Sequence, residues 1–231
     1  MEERRPPKVH AQSDAQSDAQ SYAMQVLTTE HWSLLATRSQ GFNEAFARAG
    51  LFLTILTGSV VALALVAQAS EFDERFTTFA LVLMPVVLFI GTSTLVRLVQ
   101  NNFEDVQWVI GMNRIRHAYL EREPDLVPYF VTSPHDDEIG VMTTLGATPW
   151  REQMRGTHAF VTTPGMLAVV NATLAGVIAA MAASVVGTGP GIAAAAGLLG
   201  FLISYAALHR YTLKQIKLFR RWNQPRFPTP E

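Results

Sequence analysis

Four stretches of this chain run for roughly the length of a bilayer-crossing helix without one charged side chain, and they limit what it can fold into. They are residues 50–70, 76–96, about 164–187 and 191–208. A helix rises about 1.5 Å per residue, so about 20 apolar residues cross a hydrocarbon core of about 30 Å. The first three stretches meet that length directly. The fourth meets it with Gly189-Pro190 and His209 at the two interfaces. The expected fold is all-α and polytopic, with four transmembrane helices and helical extensions outside the membrane. The first stretch is not read as a cleaved signal peptide, because an acidic loop follows it rather than a small-residue cleavage site.

Composition agrees. Of 231 residues, 49% are apolar and only 16% charged, where about 25% charged is usual in soluble domains. With 18 Lys and Arg against 19 Asp and Glu, the net charge is -1. That balance argues against nucleic acid as a partner. Zero cysteines remove disulfides, thiolate metal sites and cysteine nucleophiles together.

Sidedness follows from the basic residues. Arg4, Arg5, Lys8, Arg38 and Arg48 precede the first stretch. Arg97, Arg114, Arg116, Arg122, Arg151 and Arg155 lie between the second and third, and a basic run follows the fourth. The two short connections hold only Arg75 beside Glu71, Asp73 and Glu74, and no basic residue at 188–191. Both termini and the central segment are therefore expected in the cytoplasm.

Residues 1–27, with the repeat AQSD-AQSD-AQSY, lack apolar periodicity and are expected to be a disordered tail. A helix is expected to start at Thr28 or Thr29 and to occupy 28–49 as an amphipathic or stem helix, with Trp32, Leu35, Phe42, Phe46 and Ala49 on one face. A transmembrane hairpin follows at 50–97, a cytoplasmic helical insert at 98–163, a second hairpin at 164–209, and a basic helix and tail at 210–231. No Gly-Pro punctuation separates Arg97 from Glu123, so the second span is expected to continue as one helix about 70 Å long. Val99, Phe103, Val106 and Ile110 form its apolar stripe, to be covered by the 28–49 helix or the C-terminal helix. Ser133-Pro134 and Thr148-Pro149 each read as a cap and first turn of a short helix.

Small residues recur at every fourth position in the third span (Ala168, Ala172, Gly176, Ala180, Ser184), answered by Ala193, Gly197, Gly200 and Ser204 in the fourth. Such rows let membrane helices approach closely. They serve either a hairpin of these two spans or a homo-oligomer axis or pore. Asn171 inside the third span suits an interhelical hydrogen bond or a pore lining. His135, Asp136, Asp137 and Glu138 are the densest set of potential ligands for a divalent cation, and also a normal acidic helix start. Adjacent helical residues point about 100° apart, so the four need partners from elsewhere to hold one ion. Arg210, Lys214, Lys217 and Arg221 share one helix face and suit anionic lipid head groups or ordinary positive-inside anchoring. No phosphate loop, nucleophile elbow, HExxH or dinucleotide fingerprint is present, so neither an enzyme nor a bound cofactor is expected.

The segments HWSLLATRS at 31–39, GMNRIRHAYL at 111–120 and PYFVT at 128–132, leading to HDDE at 135–138, together resemble a family of uncharacterised bacterial membrane proteins over about residues 28–222. The resemblance implies a bacterial inner-membrane location and no particular chemistry. In topology alone the layout is similar to bestrophin-like channels. Gly111-Met112-Asn113 spells the tripeptide of CorA-type magnesium channels, but that motif belongs in an external loop before a last span, not in a helix followed by Arg114 and Arg116. Two functions are expected: an oligomeric, channel-like protein with a cytoplasmic helical gate, or a membrane-anchored scaffold or sensor acting through its cytoplasmic bundle.

Overall fold

The computed structural model describes residues 8–146 and 162–230. Every regular element among them is helical: α1 (Lys8–Ser70), α2 (Glu74–Arg122), a 3₁₀-helix (Pro124–Tyr129), α3 (Glu138–Thr144), α4 (Thr163–Val185) and α5 (Pro190–Trp222). Four of these, α1, α2, α4 and α5, are long and apolar enough to cross a membrane. The helix expected at Thr148-Pro149 lies outside the described residues.

α1 overturns the reading of the N-terminal segment. In place of a tail ending at residue 27, one helix runs from Lys8 through the AQSD repeat. Ala and Gln are strong helix formers, and neither Gly nor Pro occurs between Lys8 and Gln40. Contacts with α2 hold this part: Arg122 donates to Gln20 Oε1 at 3.1 Å, and the Tyr119 and Thr28 hydroxyls meet at 3.4 Å. Thr28 and Thr29 are not caps; their hydroxyls donate back to the Met24 and Gln25 carbonyls.

The chain divides into two compact units. One comprises Gly41–Val106 and Gly146–Gln224 and holds all four apolar stretches. Its core joins Phe52 of α1, Ala80, Met84, Val87, Leu95, Leu98 and Val99 of α2, and Leu167 and Leu174 of α4. At one end of α2's apolar stretch Arg97 grips Glu44 through two bonds of 3.0 Å and Glu104 at 2.7 Å. Hydrogen bonds from Arg97 and Arg48 hold the Glu44 carboxyl down to about 2. Phe103 packs against Phe219 of α5 with ring centroids 5.5 Å apart, and Val99 is buried. The α1–α2 turn holds Glu71 and Phe72 at φ 50° and 63°, left-handed geometry that side-chain-bearing residues seldom adopt. Asp73 then caps α2 through its Oδ1, which accepts from the Arg75 and Phe76 amides.

The other unit comprises Met1–Gln40, Gln107–Leu145 and Pro225–Glu231. It takes in the C-terminal tail but not the basic end of α5. α2 supplies its centre, with Val109, Ile110, Met112 and Ile115 buried. α1 packs on it through Met24, Leu27, His31, Leu34 and Arg38, spaced 3, 4, 3 and 4 as in a coiled-coil seam. The expected aromatic face is therefore turned outward: Trp32 is 66% exposed, and Leu35, Phe42 and Phe46 are exposed too; only Ala49 of that set is buried. The inner face tolerates a more polar set because α2 offers hydrogen-bonding and stacking partners to it.

Candidate functional site: a polar knot on α2

The stripe Val99–Phe103–Val106–Ile110 continues at the same spacing into Asn113 and His117, so polar side chains enter the packed face of α2. Asn113 is fully buried. Its Nδ2 donates to the His135 carbonyl at 2.7 Å, while its Oδ1 accepts from Arg116 Nη1 at 2.7 Å and the Thr144 hydroxyl at 3.0 Å. One side chain thus ties α2 to the segment entering α3 and to the end of α3. The GMN tripeptide has a packing role here: Gly111 lies against Leu34, and Met112 and Asn113 are buried.

Asp136 is the second centre, with no exposed surface. Arg114 Nε donates to its Oδ2 at 2.7 Å, and the Arg226 and Phe227 amides donate to the carboxylate at 3.0 and 2.8 Å. Its own amide donates to the Phe227 carbonyl at 3.2 Å. Burial pushes the Asp136 carboxyl up, but these donors together outweigh it and hold it below the usual carboxylate range. Asp137 Oδ1 accepts from the Gly140 amide at 2.8 Å and the Thr229 hydroxyl at 2.9 Å, and its Oδ2 from the Thr229 amide at 3.1 Å. Burial raises that carboxyl too, and the same donors bring it down. The C-terminal segment, bent at Arg226 and Phe227, is held across two adjacent carboxylates.

These bonds account for the acidic cluster. The cap of α3 is Asp137, not Ser133, and Glu138 opens the helix. Asp136 and Asp137 are engaged by peptide and hydroxyl donors and by Arg114. Among the described residues no three His, Asp or Glu side chains are grouped to hold a metal ion. The His135 ring instead faces His117 at 6.3 Å, and His117 stacks on Phe227 at 4.0 Å. Both imidazoles line an open cleft of about 510 Å³ whose other walls include Leu120, Val127, Phe130 and Pro134. His135 Nδ1 is buried there without a hydrogen-bond partner.

The membrane-type residues are placed differently. Asn171 is fully buried, and neither amide atom has a partner, so the expected interhelical hydrogen bond is not made. A Cβ on Gly91 would collide with its Oδ1 and with the Phe52 ring; the side chain is sealed among α2, α4 and α1. Gly176, Gly197 and Gly200 lie in the α4–α5 hairpin. A Cβ at Gly176 would come within 2.7 Å of the Gly197 carbonyl, and one at Gly200 within 2.8 Å of Ala179 Cβ. The small-residue rows of α4 and α5 therefore pack on each other. Gly50, Thr54 and Gly58 form a further row on α1, exposed, with nothing within 4 Å of a Cβ on either glycine. Arg210, Lys214, Lys217 and Arg221 are all exposed along one face of α5.

Sequence reasoning missed Asn113, Arg114, Arg116 and the 225–229 segment. The signal for Asn113 was its place in the apolar stripe. No pattern in the sequence pairs Asp136 with a peptide ninety residues on. No protein-family model matches the chain, and no curated protein or solved structure matches it either.

Proposed function

We propose that this is a membrane-anchored sensor or scaffold working through the helical unit around Asn113 and Asp136. The carrying observation is where polar chemistry lies. The buried Asn171 is closed off by Gly91 and Phe52, whereas the α2 knot gathers buried Asn113, Arg116 and Asp136 beside an open cleft. In this reading the apolar helices anchor the chain in a bacterial plasma membrane, with both termini cytoplasmic by the charge asymmetry of the connections. The exposed Arg210, Lys214, Lys217 and Arg221 face rests on anionic lipid head groups.

A second reading, an oligomeric channel-like protein with a cytoplasmic helical gate, is favoured by one observation. The Gly50–Thr54–Gly58 row on α1 is open to close approach by another copy. Reconstitution into vesicles separates the two. The sensor reading expects ion flux no greater than in protein-free vesicles. Flux that disappears in Gly50→Leu, together with a multimeric mass in nanodiscs, would replace it with the channel reading.

A further inference from the structure

His117, Glu121 and His135 line one open cleft of about 510 Å³, and all three belong to the unit centred on the C-terminal part of α2. His117 and Glu121 stand one turn apart on α2, a spacing that sets their Cβ atoms about 5–6 Å apart on one helix face. His135 reaches the cleft from the segment that enters α3. Its ring centre lies 6.3 Å from that of His117, with the two planes inclined at 60°. Among the described residues none of these three side chains makes a hydrogen bond or an ion pair, and the His135 Nδ1 is buried in that state. The polar groups around them are engaged: Asn113, Arg114, Asp136 and Asp137 all have partners. Stacking on Phe227 at 4.0 Å orients the His117 ring without occupying either nitrogen.

We infer that His117, His135 and Glu121 form a binding site for one divalent transition-metal ion of the zinc class, with water completing its coordination. Imidazole ligands suit zinc and its neighbours, whereas magnesium and calcium take oxygen ligands. The two aspartates that could have favoured those harder ions are spent on the C-terminal strap. Two residues one turn apart on a helix can ligate the same ion, as the paired histidines of helical zinc sites do. Two imidazoles on one tetrahedral ion have ring centres about 5 Å apart. His117 and His135, at 6.3 Å, therefore close by about 1 Å on binding, and the exposed Glu121 turns in. Before that closure no three ligand groups are gathered. The inference rests on the reading of this unit as the working part of the chain and names the ligand it would sense.

The full chain, carrying no polyhistidine tag and stripped with a chelator, is titrated in detergent with Co²⁺, and Zn²⁺ or Mg²⁺ is then added in competition. With zero cysteines in the chain, no thiolate contributes to the signal. One Co²⁺ should bind per chain with the visible absorption of a low-coordinate nitrogen and oxygen site, and Zn²⁺ but not Mg²⁺ should displace it. His117→Ala and His135→Ala should each weaken binding at least as much as the roughly 10–100-fold that loss of an outer-shell partner costs. Glu121→Gln, on an exposed side chain that no hydrogen bond uses, should weaken it about tenfold or more. His209→Ala, on an exposed residue of α5 away from the cleft, should bind like the parent. If a histidine variant does not fold, Glu121→Gln decides. No saturable binding, equal displacement by Mg²⁺, or cleft variants binding like the parent overturns the site. The flux measurement is independent of this outcome, so failure here leaves the anchor-or-channel question to its own test.

Discussion

Asp136 shows how one carboxylate can fix a chain end. Its ligands are backbone amides and one guanidinium, and all of them require the ionised form. Because its folded pKa is depressed, as is that of Asp137, the stabilisation is fully present above the ordinary carboxylate range near pH 4. It is lost as pH falls through the lower folded values. Protection of the Phe227 and Thr229 amides, taken as exchange relative to the intrinsic rate at the same pH, should therefore be high at neutral pH and fall below about pH 4. Asp136→Asn should speed exchange at both amides already at pH 7 and cost about 3 kcal/mol of stability, as for removing one partner of a buried ion pair. Unchanged protection in the variant would show that the carboxylate does not hold the tail. None of this was legible beforehand: an Asp-Asp pair at a helix start reads the same whether it caps a helix or seats a distant peptide.

At the scale of elements, the long apolar helices were legible because composition alone defines them. The continuation of α2 beyond its apolar stretch to Arg122 was legible too, since no Gly-Pro punctuation separates Arg97 from Glu123. The face that α1 buries was not. Trp32, Leu35, Phe42 and Phe46 carry the stronger hydrophobic signal, yet the seam uses His31 and Leu34, which meet Tyr119 and Gly111 of α2, together with the half-buried Arg38. The α4–α5 hairpin gives the sharpest test of packing. Gly176→Leu and Gly197→Leu must push apart backbones already in contact, so each should cost at least about 2 kcal/mol, whereas Leu83→Ile on α2 should be tolerated. Thermal unfolding in detergent measures all three. Equal effects would mean that the close approach of these helices is incidental.

For the molecule as a whole, sidedness is the property that every functional reading depends on. Cysteines placed at Glu71 and Thr188 should react with a membrane-impermeant thiol reagent applied to intact cells, and cysteines at Ser13, Thr143 and Thr229 should not. The native chain has zero cysteines, so no background labelling intervenes. Labelling at Thr143 from outside would invert the arrangement and place the Asn113 knot on the external face. The charge asymmetry carried this expectation because Lys and Arg in short connections are counted directly from the sequence. The polar interior of the α2 unit could not be counted in that way, since it depends on which helices meet.

The C-terminal strap has an evolutionary corollary. Its binding uses the amides of Arg226, Phe227 and Thr229, and the prolines stand at 225, 228 and 230, where no amide proton is required. Apart from Phe227 and Thr229, whose side chains also engage His117 and Asp137, the side chains of the strap are free to drift. Its prolines are more constrained. A lineage can lose or regain them at the three permitted positions, but a proline arriving at 226, 227 or 229 removes a donor from a buried carboxylate. Selection on this segment would then act on a pattern of permitted and forbidden prolines, largely invisible to any measure of residue identity.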